Sequence, residues 1–305
     1  MPADLASRDA AARGASGSGP LAIIAGAGEL PRLIADEVGR AGRPLFVIEV
    51  EGEADRDYSA FDHARLPIGA AGRLKSLLTD RGCHDVLMAG NFRRPRFSEI
   101  EWDMGTVKTL TLSGIMRLKR GGDDKVVNGV VQIFESEGFR IVGPREAVPG
   151  FVAPAGVLGR HKPGRKAKAD IAFGLKAIAR MGPLDIGQAV VVLSERVVAV
   201  EAAEGTTAMI QRCGDLRDNG RISAPAPSGI LVKAAKPGQE MRLDMPVAGV
   251  ETVEAAAKAG LEGIAVEAGN VLLPGIEDIR RAADAAGLFV IGVDFEAGER
   301  GGRQS

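Results

Sequence analysis

One stretch concentrates the chemistry of this chain: Lys233-Ala-Ala-Lys236-Pro-Gly-Gln239-Glu240-Met-Arg242-Leu-Asp244-Met-Pro246. Two lysines, an arginine, a glutamine and two acids fall close together between apolar segments. A solvated surface loop can have this composition. The same residues also suit a site mouth, where cations hold an anionic substrate and Asp244 coordinates a metal or orients water. Two smaller polar clusters each border an expected strand: Asp185-Ile-Gly-Gln188 and Glu201-Ala-Ala-Glu204-Gly-Thr206.

Three further groups lie in the first half. Gly26-x-Gly28-x-x-Pro31 follows an apolar strand, and small residues there let backbone N–H groups approach a phosphate at a helix N-terminus. Pro31 replaces the third glycine of a dinucleotide fingerprint, while Glu49 or Glu51 could serve as the ribose-binding acid; a plain tight turn is the alternative. Asn91-Phe-Arg93-Arg94-Pro-Arg96 follows another strand, and Arg forks suit phosphate oxygens, which points to Asn91 and at least one arginine. Gly121-Gly-Asp123-Asp124 reads either as an acidic helix start or as a Mg2+ approach with phosphate co-ligands. His63, His84 and His161 have no metal-ligand spacing, and no G-x-S-x-G elbow, Walker A sequence or H-E-x-x-H is present. Carboxylate–Mg2+ phosphate chemistry passes this filter better than hydride transfer.

The elements that must position these groups divide the 305 residues in two. Residues 1–20 read as a disordered tail. Residues 21–143 alternate strand and helix, as in a Rossmann-like, doubly wound parallel sheet: Leu21–Ala25, Leu45–Val50, Val86–Ala89 and Phe139–Val142 as strands, with helices between them. Residues 144–164, rich in Gly and Pro, read as a linker. Residues 165–297 form a second α/β domain with a mixed sheet. It holds a hairpin at 189–200, strands near Ile230, Val247 and Ile264, helices near Glu254 and Ile279, and a last strand at Phe289–Val293; 298–305 is a short tail.

Net charge is −1, so nucleic acid is not an expected partner. Aromatics are scarce at 4%, which also disfavours base-stacking platforms. Cys83 and Cys213 read as reduced thiols of a cytoplasmic protein, and no apolar run approaches the roughly 20 residues that span a bilayer.

Taken in order, the motifs A-G-x-G-x-L-P, G-N-x-x-R-P, G-D-D, D-I-G-Q, E-x-x-E-G-T, K-x-x-K-P-x-Q-x-x-R-x-D-x-P and E-A-G resemble those of the UDP-2,3-diacylglucosamine pyrophosphatases of lipid A biosynthesis. The resemblance is to the magnesium-dependent type common in alphaproteobacteria, not the metallophosphoesterase type, and runs from about Leu21 to Val293. Thr207 departs from it, standing where an acidic residue is common.

The resemblance implies hydrolysis of UDP-2,3-diacylglucosamine to UMP and 2,3-diacylglucosamine 1-phosphate (lipid X), with Mg2+ as cofactor and the substrate held between two domains. Asp244 would be essential. Substrate and phosphate contacts would come from Gly26, Gly28, Asn91, Arg94, Gln188, Thr206, Lys233, Lys236 and Gln239, and metal contacts from Asp244, Asp123 and Asp124. Peripheral contact with the inner membrane and a homodimer are compatible partners. The apolar stretch carrying Trp102, Met104, Leu110, Leu112, Ile115 and Met116 would line an acyl groove or simply pack in the core. The competing readings are an NAD(P)-dependent oxidoreductase built on Gly26–Pro31 and Glu49, and a non-catalytic nucleotide-sugar binding protein.

Overall fold

The computed structural model describes residues 19–93 and 123–295, those at 123–128 by backbone only. Arg94, the Trp102–Met116 stretch, the carboxylates of Asp123 and Asp124, and the greater part of both expected tails therefore lie outside the described residues. The chain divides into two units, Met1–Val148 and Pro149–Ser305.

The first unit runs β1 (Leu21–Ala25), α1 (Leu30–Arg40), β2 (Leu45–Val50), β3 (Asp62–Leu66), α2 (Ala71–Asp80), β4 (Asp85–Ala89), α3 (Asp123–Ser136), β5 (Arg140–Ile141) and α4 (Pro144–Ala147). Among the described residues its five strands are all parallel in the order β3-β2-β1-β4-β5. The central strand, β1, is buried throughout. That burial explains its unbroken apolar sequence, since parallel strands are covered on both faces. Pro31 sits in the first turn of α1, where its missing N–H costs no bond, and Ile34, Ala35 and Val38 form the buried stripe. The edge strand β3 is invisible to hydrophobic patterning because in its sequence, Asp-His-Ala-Arg-Leu, the first, second and fourth residues are exposed and Leu66 alone is buried.

The second unit runs β6 (Gly156–Leu158), α5 (Arg165–Met181), β7 (Ala189–Leu193), β8 (Arg196–Val200), α6 (Gly205–Asp218), β9 (Ile230–Lys233), α7 (Val250–Lys258), β10 (Gly263–Glu267), α8 (Ile276–Ala286) and β11 (Phe289–Val293). The sheet order is β6-β11-β10-β9-β7-β8. Strands β9, β10 and β11 are parallel, whereas β7 runs antiparallel to β8 and β9, and β6 antiparallel to β11.

Alternation along the strands separates two apolar clusters. Ile230 and Val232 pack with Ile171 and Leu175 of α5. Leu231 packs with Met209 and Ile210 of α6 and Val253 of α7. Gly174 is needed where α5 meets β9, because a Cβ there would fall 2.6 Å from a Val232 methyl.

Two expectations change. The stretch 144–164 is not a bare linker: it carries α4, a short 3-10 turn at Pro149–Phe151 and β6, whose pairing with β11 extends the second sheet. Its glycines and prolines shape turns around that short edge strand. Val247 is not in a strand but makes one isolated bridge to Leu272. Helix α6 escaped the sequence reading because two threonines and Gly214 interrupt its apolar pattern, although Met209, Ile210 and Cys213 are buried. Among the described residues no helix is long and apolar enough to cross a membrane.

Candidate active site

The mixed topology of the second sheet gathers polar residues at one edge. Lys233 and Glu267 end the parallel strands β9 and β10. Strand β7 runs the other way, so its first residue, Ala189, lies opposite Lys233. Val200 lies opposite Val190 across the hairpin. Gln188, just before β7, and Glu201, just after β8, therefore reach the same edge. Ligands bind outside the carboxyl ends of strands in α/β sheets, and this edge is where the loops of the second unit converge.

Lys233 occupies the face of β9 that also carries Leu231, which turns it toward the first turn of α6. Its Nζ donates to Thr206 Oγ1 at 2.5 Å. Thr206 donates its single hydroxyl proton to Glu201 Oε1 at 2.6 Å. The backbone N–H of Gln188 donates to Glu201 Oε2 at 3.2 Å. Lys233 is 4% exposed and Glu201 7%. Burial pushes the Lys233 ammonium below the ordinary lysine range, against the opposing pull of the Glu201 and Asp244 carboxylates.

The second arm is centred on Gln239. Its Nε2 donates to Gln188 Oε1 at 3.1 Å and to Asp244 Oδ2 at 2.6 Å. Its Oε1 accepts the Lys236 N–H at 2.8 Å. Lys236 Nζ is paired with Asp185. Pro237 packs so closely on Gly182 that a Cβ there would lie 2.4 Å from its ring. Arg242 pairs with Glu240, and this bond holds the Glu240 carboxyl below its usual range. Glu267 is buried and accepts from the Ala235 N–H and the Asn270 amide, which fixes the backbone just beyond Lys233.

Thus Gln188, Thr206, Lys233, Lys236, Gln239 and Asp244, separated by as much as 56 residues in sequence, are linked directly or through Glu201, while Asp185 pairs with the Lys236 ammonium. Sequence reasoning placed Glu201 and Asp185 only in supporting acidic clusters. The available signal for Glu201 was its place at a strand end, five residues before Thr206.

Gly187 makes the hairpin approach feasible. It has φ +45°, and a Cβ would come within 2.1 Å of the Glu201 carbonyl oxygen. Gly187→Ala is expected to cost at least about 2 kcal/mol from backbone strain and displacement of that carbonyl. Calorimetry should show a melting point lower by about 4–8 °C; an unchanged melting point would contradict this account.

Gly26, Gly28 and Asn91 lie in the first unit, where the loops after β1 and β4 cross. Ala27 and Asn91 exchange backbone hydrogen bonds at 2.9 Å. A Cβ on Gly26 would lie 2.6 Å from the Asn91 carbonyl oxygen, and Gly28 has φ +97°. The Gly28 N–H donates to Asp55 Oδ1 at 3.0 Å. Arg93 donates to Glu53 and to the Gly52 carbonyl. Glu49, a proposed ribose-binding acid, is buried and bonded at 2.6 Å to Arg65. The oxidoreductase alternative therefore finds that carboxylate already engaged.

The pattern of the LpxI N-terminal domain matches residues 20–151, and that of the LpxI C-terminal domain matches residues 154–291. The chain is also 41% identical over 274 residues to the UDP-2,3-diacylglucosamine pyrophosphatase LpxI of Caulobacter vibrioides, covering 90% of this chain and 97% of that relative. The chain belongs to the LpxI family. The two family domains meet between residues 151 and 154, close to the division of the fold after Val148. The Lys233–Asp244 network lies wholly within the C-terminal domain of the LpxI family, and the Gly26–Asn91 crossing within its N-terminal domain.

Proposed function

We propose that this chain hydrolyses the pyrophosphate bond of UDP-2,3-diacylglucosamine, releasing UMP and 2,3-diacylglucosamine 1-phosphate. The relative's activity supports this substrate, and the buried Lys233 ammonium is the structural observation that carries the reading. An ammonium has three protons to donate, and among the described residues Thr206 accepts one. A cation held at a sheet edge against the cost of burial is suited to an anionic oxygen brought by substrate. The Lys236 ammonium and the Gln188 side-chain amide bring further donors to the same edge, while both amide hydrogens of Gln239 are given to Gln188 and Asp244.

Among the described residues no three His, Cys, Asp or Glu side chains gather as a metal cage. Asp244 offers one carboxylate, which fits Mg2+ arriving with pyrophosphate, since this ion is commonly held by one or two carboxylates plus substrate phosphates. The chemistry supplied with bound Mg2+ is neutralisation of pyrophosphate charge and polarisation of a phosphoryl oxygen. Within the chain, the Gln239 amide orients Asp244, whose carboxylate would ligate that ion or position the attacking water. Lys233 and Lys236 would hold phosphate oxygens. The family resemblance keeps Asp123 and Asp124 as candidate metal ligands and Arg94 as a candidate phosphate contact; their side chains lie outside the described residues.

We also propose peripheral contact with the inner membrane from the cytoplasmic side, a reading supported by the affinity of two acyl chains for a bilayer. The test is incubation of the full chain with UDP-2,3-diacylglucosamine, with Mg2+ or with chelator, followed by analysis of products. UMP and the diacyl sugar phosphate are expected with Mg2+ alone. Intact substrate in both would overturn the proposed activity, whereas equal hydrolysis in both would remove Mg2+ from the proposal.

A further inference from the structure

We infer that Glu201 is a positioning residue of this reaction, acting through the Thr206 hydroxyl to hold the Lys233 ammonium and through the Gln188 backbone to steady the arm that carries Asp244. This inference rests on the proposed hydrolysis.

The direction of each hydrogen bond carries the argument. The Glu201 carboxylate can only accept, so the Thr206 proton must point to it. The lone pairs of the Thr206 oxygen are then left for Lys233, and its donated bond is the one observed. The other carboxylate oxygen takes the Gln188 N–H. From Gln188 the network continues through its side-chain oxygen to Gln239 and on to Asp244. One carboxylate thus joins two arms, one ending in a cation and the other in an acid. Glu201 reaches Lys233 through Thr206, and Asp244 through Gln188 and Gln239, and it is too buried to serve as a surface charge. Gly187 lacks a side chain where one would strike the Glu201 carbonyl, so the backbone is shaped to bring this residue inward.

The experiment is a coupling cycle on the full chain with Mg2+, measuring kcat/KM for UMP release. Glu201→Gln keeps the shape but removes the charge and one acceptor, and should lower kcat/KM about tenfold or more, on the scale of a hydrogen bond to a charged group. In a Lys233→Met background the same change should cost much less, because the ammonium it positions is gone. Thr206→Val should behave like Glu201→Gln, while Thr206→Ser, which keeps the hydroxyl, should retain far more activity than Thr206→Val. If Glu201→Gln fails to fold, the Thr206→Val and Lys233→Met cycle performs the same test. Equal factors in both backgrounds would overturn the positioning role, since a purely structural defect is indifferent to Lys233. The unaltered chain is assayed alongside: if it leaves the substrate intact, the proposed function fails; if it hydrolyses substrate while the cycle is additive, only the role of Glu201 fails.

Discussion

Replacing Asp244 with alanine is expected to lower turnover by at least about a hundredfold, the scale seen when one preorganised electrostatic group is removed from an active site. The carboxylate is held by the Gln239 amide at 2.6 Å, and Gln239 is itself tied to Gln188 and to the Lys236 backbone. Its geometry is therefore set by the protein before substrate arrives. The loss should appear in kcat, because either role of Asp244 acts on the phosphorus under attack. Asp244→Asn separates the roles. An amide ligates Mg2+ more weakly than a carboxylate, so raising the Mg2+ concentration should restore part of its activity if Asp244 is a ligand. If Asp244 positions water, added Mg2+ should leave the defect unchanged. Near-normal UMP release by Asp244→Ala would remove this residue from the mechanism.

Lys233→Met is the second large effect, and its sign differs between activity and stability. The aliphatic stem of methionine fits the buried path, but the charge is lost, and kcat/KM should fall by about a hundredfold or more. Stability should hold or rise. The Lys233 pKa is lowered chiefly by burial, so its charged form is disfavoured in the folded chain. At neutral pH the ammonium therefore weakens folding, and stability recovers as pH rises through the lowered pKa toward that of an unfolded lysine, where the unfolded state binds more protons. Removing the group removes this cost. The alkaline loss of kcat/KM in the unaltered chain should correspondingly begin below the pH at which an exposed lysine titrates. A lower melting point with unchanged kcat/KM would show Lys233 to be a structural cation only.

The expected Gly187→Ala defect and the Glu201 coupling concern the support of these two groups. They explain why residues without a reactive atom belong to the candidate site. Gly187 permits a close backbone approach, and Glu201 orients a hydroxyl.

Much of the architecture was legible from local pattern. Buried strands such as β1 and β9 are short apolar runs, and α1 combines a proline start with an apolar stripe. The exceptions share a cause. Strand β3 carries its charges outward at an edge, and β6 is three residues long among glycines and prolines. Their existence depends on a neighbouring strand, β2 for one and β11 for the other. Val247 shows the converse, an apolar residue whose single bridge never grows into a strand.

The site divides along the same line. Residue type and spacing alone singled out Lys233, Lys236, Gln239 and Asp244, because so many charged and polar groups between apolar segments are unusual within one short stretch. The same information identified Gln188 and Thr206 as members of separate clusters and supplied the family resemblance. Only the tertiary structure decided how they meet. An antiparallel β7 inserted beside parallel β9 brings a strand beginning and a strand end to one edge, and the alternation of β9 turns Lys233 toward α6. Strand direction and side-chain face are properties of pairing between distant segments, and no local pattern contains them.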